Sequence, residues 1–204
     1  MRERPVSIKP DDHQSTDYSG QSLARLKLEV LRPLDRIAPN FRFYELTRSD
    51  LAERWEIDNR IPGRDELMAA VYVVRKALQP IRDEFGPLTP KSIFRSQALD
   101  RVMKRKPSSW ISASQHTLGS AADIEVIGVP TITLARWAAE NLPVYDQVIC
   151  ECYDGSSGPN SGWVHISLKR PRHGKNRRQV MTYLRDPAIG IMRYVEGLHE
   201  RYPR

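Results

Sequence analysis

The sequence predicts an α+β fold with a central antiparallel sheet flanked by helices. Three observations carry that expectation. The clearest helical periodicity comes early, at residues 67–85. The strand-like runs cluster in the second half of the chain. Helices are inserted among them without the regular alternation that a parallel α/β fold requires. The chain has 204 residues, enough for one medium domain with a real core and terminal extensions.

The elements follow in order. Residues 1–20 are polar and carry turn formers, and read as a loose arm. The mixed stretch QSLARLKLEVLRPLDRIA (21–38) fits a strand or a short helix. In LTRSDLAERW (46–55), Thr47 or Ser49 is the N-cap of a short helix, and IDNRIPGRDE after it is a loop. Leu67, Ala70, Val71, Val74, Leu78, Ile81 and Phe85 then recur at three- and four-residue steps and make one apolar face, which Gly86 and Pro87 end. KSIF (91–94) is a short strand, SQALDRVM (96–103) a short helix, and KRKPSSWISAS (104–114) a basic, polar loop. AADIEVIGV (121–129) reads as a buried strand and TITLARWAAENL (131–142) as a helix capped by Thr131 or Thr133. YDQVICEC (145–152) and WVHISL (163–168) are strands joined by the long hairpin loop YDGSSGPNSG. RQVMTYL (178–184) is a last strand. Asp186 and Pro187 then suit the start of a C-terminal helix carrying Ile189, Met192, Val195 and Leu198.

Composition narrows the function classes. At 40% hydrophobic and 28% charged residues, the chain is globular rather than disordered. No apolar run approaches the ~20 residues that cross a bilayer. The basic start lacks the apolar segment of a secretory signal, so synthesis in a cytoplasm without a signal peptide is expected. A net charge of +7 favours anionic partners. Cys150 and Cys152 are held apart by their strand and read as reduced core thiols. The segment LKRPRHGKNRR (168–178) reads as a solvated basic loop, or one drawn to an anionic cell wall, ahead of a nucleic-acid module.

The chemistry starts from SASQHTLGSAADIEV (112–126). His116 and Asp123 alone occur by chance in many chains. His165 changes the weighting. Alternation in WVHISL sets Val164, Ile166 and Leu168 toward a core, so His165 faces something else. Two imidazoles and one carboxylate suffice for catalytic Zn²⁺ with the fourth position left to water. If 145–152 and 163–168 form a hairpin, Glu151 pairs near Trp163 and shares a face with His165, where a carboxylate can serve as general base.

SQHTLGSAAD fits S-x-H-x-x-G-x-A-x-D at Ser114, His116, Gly119, Ala121 and Asp123. With WVHIS downstream, the chain resembles the zinc D-alanyl-D-alanine carboxypeptidase and endopeptidase family in its short phage-type branch. FRFYELTRSDLA, IDNRIP, LQPIRDEFG, FRSQALDRV and NRRQVMTYL are similar to family segments in the same order. The chain departs from the family at Ile93-Phe94, where Gly-Tyr is usual, and at 104–114, where a Gly-rich turn is usual. The resemblance implies a Hedgehog/DD-peptidase-like zinc fold over 41–185, with an N-terminal extension at 1–40 and a C-terminal helical extension at 186–204. It implies His116, Asp123 and His165 as zinc ligands, Arg95 as the group that steadies the substrate carbonyl, and Glu151 as catalytic base, with Asp154 the other acid within reach. Ser114 and Trp163 are substrate-binding candidates. The implied substrate is the stem peptide or cross-link of peptidoglycan. The site of action is then the cell wall or periplasm, reached as an endolysin or as a component carried in a virion. The extensions are candidate contacts to virion proteins, and a virion structural protein with little activity is the alternative. His13 and His199 lie in the extensions and are not expected to bind metal.

Overall fold

The computed structural model describes residues 15–201 and 203. It is a mixed α and β structure built on a five-stranded sheet of order β3-β5-β4-β6-β7. The strands are β3 Ala121–Ile124, β4 Gln147–Glu151, β5 Trp163–Ser167, β6 Gln179–Arg185 and β7 Met192–Glu196. A small separate ladder pairs β1 Arg36–Ala38 with β2 Phe41–Arg42. The helices are α1 Asp50–Arg54, α2 Arg64–Val73, α3 Gln79–Phe85, α4 Gln97–Met103 and α5 Thr131–Asn141.

The predicted helix at 67–85 is present as one rod from Arg64 to Phe85, with a π turn at Val74–Leu78 between α2 and α3. Pro80 supplies the physical reason. It has no N–H for the ladder and its ring crowds the carbonyl four residues back, so the preceding turn widens. Gly86, at φ 86, ends the rod. Leu67, Ala70, Val71, Val74, Leu78 and Ile81 are all fully buried. Ser49 is the cap of α1, accepting from the Ala52 amide.

One face of the sheet carries Ala122, Ile124, Val148, Cys150, Val164, Ile166 and Leu168 into the core, where α5 and the α2–α3 rod cover them. Strand period then turns Asp123, Glu151, Trp163 and His165 to the opposite face. Sealing one face with helices leaves the other as the floor of a cleft.

Four expectations need correction. The sheet is mixed: β4 and β6 run parallel, while every other pairing in it is antiparallel. Both edges of β5 are taken by β3 and β4, so the chain leaving β5 at Ser167 passes the N-terminal end of β4 at Gln147 and enters β6 at Gln179 in the direction of β4. The predicted C-terminal helix is instead β7, an edge strand. Asp186, through its carboxylate and main chain, and Gly190, at φ 70, build a tight hairpin turn, and Met192–Glu196 pairs with the open edge of β6. KSIF is no strand beyond a single bridge from Ser92 to Asp123. Neither threonine caps α5: Pro130 holds the N-cap position, and the Thr131 amide bonds the Pro159 carbonyl.

The stretch 21–38 forms two 3-10 turns, Leu23–Arg25 and Leu28–Val30, followed by β1. Leu26, Leu31 and Ile37 enter the main core. Arg75 from the rod bonds the carbonyls of Tyr18, Gln21 and Ile37. The greater part of the predicted loose arm, residues 1–14 with His13, lies outside the described residues. Cys150 and Cys152 are both free; Cys152 leaves the strand with φ 52.

Candidate metal centre

Three elements deliver the trio read from the sequence. A 3-10 turn at Gln115–Leu118 carries His116, β3 carries Asp123 and β5 carries His165. Asp123 and His165 are register partners across the β3–β5 ladder and so share a face. Gly119 ends the 3-10 turn in the left-handed conformation at φ 66, which folds His116 back over the strand it precedes.

The three side chains are buried, and their ligand atoms lie within 4.8 Å of one another. His116 Nε2 is 3.2 Å from Asp123 Oδ1 and 3.3 Å from His165 Nδ1, and His165 Nδ1 is 2.9 Å from the same carboxylate oxygen. Ligand bonds of about 2.0–2.1 Å at tetrahedral angles set ligand atoms about 3.3–3.4 Å apart. The observed triangle is close to that size.

The hydrogen bonds behind the trio decide what it presents. His116 Nδ1 is 2.8 Å from the Ile93 carbonyl, which can only accept, so Nδ1 carries the proton and Nε2 offers a lone pair. The Gln115 amide donates to Asp146 Oδ2 at 3.0 Å, which turns its oxygen toward His165 Nε2 at 3.4 Å. An amide oxygen there accepts from Nε2–H, the tautomer that turns His165 Nδ1 to the trio. Burial pushes the pKa of His116 down and keeps it neutral. Burial alone would raise that of Asp123, but the facing imidazoles outweigh it and hold the carboxyl below the usual range. Two imidazole nitrogens and a carboxylate oxygen thus converge on one point. That donor set fits a divalent cation, and the Ile93 and Gln115 bonds are the outer contacts that orient metal-binding histidines.

Sequence reasoning missed this outer layer. Asp146 is fully buried and takes a fork from Arg177 and a contact from Lys169 besides Gln115. Those partners outweigh the upward effect of burial and hold its carboxyl ionised. Gln115 lies inside the motif at a variable position, but its partner is 31 residues away, so spacing gives no signal. Arg95 bonds Asp123 Oδ2 at 3.3 Å and Asp100 Oδ1 at 3.0 Å, which braces the ligand carboxylate from behind as well as lining the cleft.

Glu151 is opposite Trp163 across the β4–β5 ladder, the pairing expected from the hairpin. Burial pushes its pKa up, Asp123 adds to the rise, and His165, Trp163 and Arg95 oppose it. Glu151 shares one cleft of about 730 Å³ with Arg95, Ser114, His116, Asp123, Trp163 and His165. The fold therefore brings together all seven residues singled out for the site. Asp154 stays outside: it is exposed, and its carboxylate is engaged by the Ser156 and Ser157 hydroxyls. His173 is exposed in the basic loop, and His199 bonds the Glu196 carbonyl.

Comparison of the chain with family models, curated proteins and solved structures finds no match. The assignment of a metal centre rests on the geometry of the trio and its outer contacts.

Proposed function

We propose that this chain is a zinc-dependent peptidase of peptidoglycan, cleaving a peptide bond next to D-alanine in stem peptides or cross-links. The observation that carries the reading is the convergence of three buried ligand atoms in a cleft that also holds a half-buried carboxylate, Glu151, on the same sheet face. The resemblance of the Ser114–Asp123 motif to zinc D-alanyl-D-alanine peptidases supplies the metal and the substrate class.

His116 Nε2, Asp123 Oδ1 and His165 Nδ1 would hold the ion. Bound zinc supplies a Lewis acid and makes water acidic enough to act at neutral pH. A Glu151 carboxylate oxygen accepts the proton of the attacking water and returns it to the leaving amine. Its raised pKa suits a group that must both take and give that proton. The Arg95 guanidinium orients Asp123, and donates toward the substrate carbonyl oxygen as negative charge builds on it. Trp163 borders Glu151 in the same cleft, with its indole N–H directed at that carboxylate. The +7 charge suits an acidic wall polymer.

We place the protein at the cell wall or periplasm, of phage or prophage origin, as an endolysin or virion component. The test is loss of turbidity by outer-membrane-permeabilised cells treated with zinc-loaded protein. A steady fall supports the peptidase. Unchanged turbidity at full zinc occupancy favours a virion structural protein that keeps the metal site.

A further inference from the structure

The end of α4 and the loop after it are basic in a one-sided way. From residue 101 to 122 the chain carries Arg101, Lys104, Arg105 and Lys106 and no acid. The structure folds this stretch into a tied loop. The Lys106 amide bonds the Arg101 carbonyl, with Arg105 at φ 52 in the reversal, and the Trp110 amide bonds the Pro107 carbonyl. Gln97 clasps the returning chain through the amide and carbonyl of Ser112, at 2.8 and 3.1 Å. The Lys104 and Lys106 ammonium groups lie 5.5 and 6.0 Å from the centre of the Trp110 ring. That order holds three large apolar side chains in water: Ile111 is 72% exposed, Val102 47% and Met103 39%. None of them belongs to the core. Buried Asp100 takes Lys104, while Arg105 and Lys106 form no ion pair among the described residues. Met103 and Lys104 also line the metal cleft, so this surface borders its mouth.

We propose that the surface formed by residues 101–111 docks on an anionic lipid bilayer, independently of what the metal centre does. Single exposed apolar residues are ordinary, but three of them on one basic, tied loop mark a surface whose partner is both apolar and anionic. A bilayer with acidic headgroups is such a partner. Ile111, Val102 and Met103 enter the boundary between headgroups and acyl chains, while Arg105 and Lys106 stay at the level of the phosphates on their flexible stems. A soluble polyanion meets the cations alone and leaves the three apolar side chains in water. Single-stranded nucleic acid needs open aromatic faces for its bases. The one aromatic ring in the segment, Trp110, is half-buried and already carries two ammonium groups. Docking here sets the mouth of the cleft beside the membrane surface.

The test is co-sedimentation of the full chain with vesicles of equal parts phosphatidylglycerol and phosphatidylcholine, against vesicles of phosphatidylcholine alone. The protein should bind the acidic vesicles, less as salt rises, and leave the neutral ones. Arg105→Gln with Lys106→Gln should lower the partition coefficient about 25-fold, at about fivefold per cation near an acidic surface. Ile111→Ser should lower it about 3–10-fold through lost apolar burial. Arg172→Gln with Lys175→Gln removes the same charge from the exposed basic loop at 168–178 and should change it less than twofold. All five side chains are exposed, so the fold tolerates the changes. Absent binding to the acidic vesicles overturns the dock. Equal losses from the two charge pairs overturn it as well, since net charge alone then explains the binding. An Ile111→Ser protein that binds like the unsubstituted chain overturns it too, and long-chain polyphosphate displacing that protein from vesicles would identify the surface as a polyanion site. Zinc-loaded and zinc-free protein should bind alike, so failure to hydrolyse peptidoglycan leaves these outcomes unchanged.

Discussion

Replacing Gly119 with alanine tests why the metal-binding motif needs glycine. Two costs can be worked from the structure. At φ +66 an L-residue pays about 1–2 kcal/mol for the left-handed conformation. A Cβ there would also sit 2.4 Å from the Glu66 carbonyl oxygen and 3.2 Å from the Ala70 amide nitrogen, both backbone of α2. Forcing packed backbone apart costs about 1–3 kcal/mol more. Gly128 is the control. Its φ is +82 but nothing lies within 4 Å of an added Cβ, so Gly128→Ala pays the first cost alone. Thermal unfolding should show a Tm drop of roughly 5–15 °C for Gly119→Ala and only a few degrees for Gly128→Ala, at about 2–4 °C per kcal/mol for a chain of this size. Because the same turn carries His116, Gly119→Ala should also weaken zinc binding, while Gly128→Ala should not. Equal Tm shifts, or full zinc affinity in Gly119→Ala, would refute the argument that close approach to α2 holds the turn.

Two further predictions concern the site itself. His116→Ala or Asp123→Ala should abolish zinc uptake and lower stability, since metal binding is coupled to folding, whereas Gln115→Ala should keep the ligands but weaken zinc roughly 10–100-fold by freeing the His165 ring; metal analysis and chelator competition read both, and full zinc in His116→Ala would sink the ligand assignment. Glu151→Gln should retain zinc and lose roughly 10²–10⁴ in turnover, while Asp154→Asn, remote from the cleft, should change little; the reverse order in a steady-state assay would show that the wrong carboxylate was chosen.

The metal trio was legible because its signals are local or periodic. His116, Gly119 and Asp123 sit in one motif, and alternation in WVHISL separates His165 from Val164 and Ile166. The Glu151–Trp163 pairing was legible because a hairpin fixes register once its two strands and turn are recognised. What strands do beyond their hairpins was not. Nothing local says that β6 lies beside β4 or that its far edge is open. The spacing of Ile189, Met192, Val195 and Leu198 fits a helix face, yet β6 offered main-chain partners that pairing could satisfy, and the segment became β7. That misreading hid Tyr194, which β7 brings to the lining of the cleft. The outer contacts of the metal site escaped for a related reason: Gln115 reaches Asp146, and Arg95 reaches Asp123, only through the tertiary fold.

The most direct measurement is mass spectrometry of the soluble products released when zinc-loaded protein digests purified peptidoglycan, with Glu151→Gln run in parallel. The account predicts new fragments whose ends lie next to D-alanine, absent with Glu151→Gln at equal zinc content. Intact stem peptides and cross-links from every wall type, with zinc bound stoichiometrically, would contradict it.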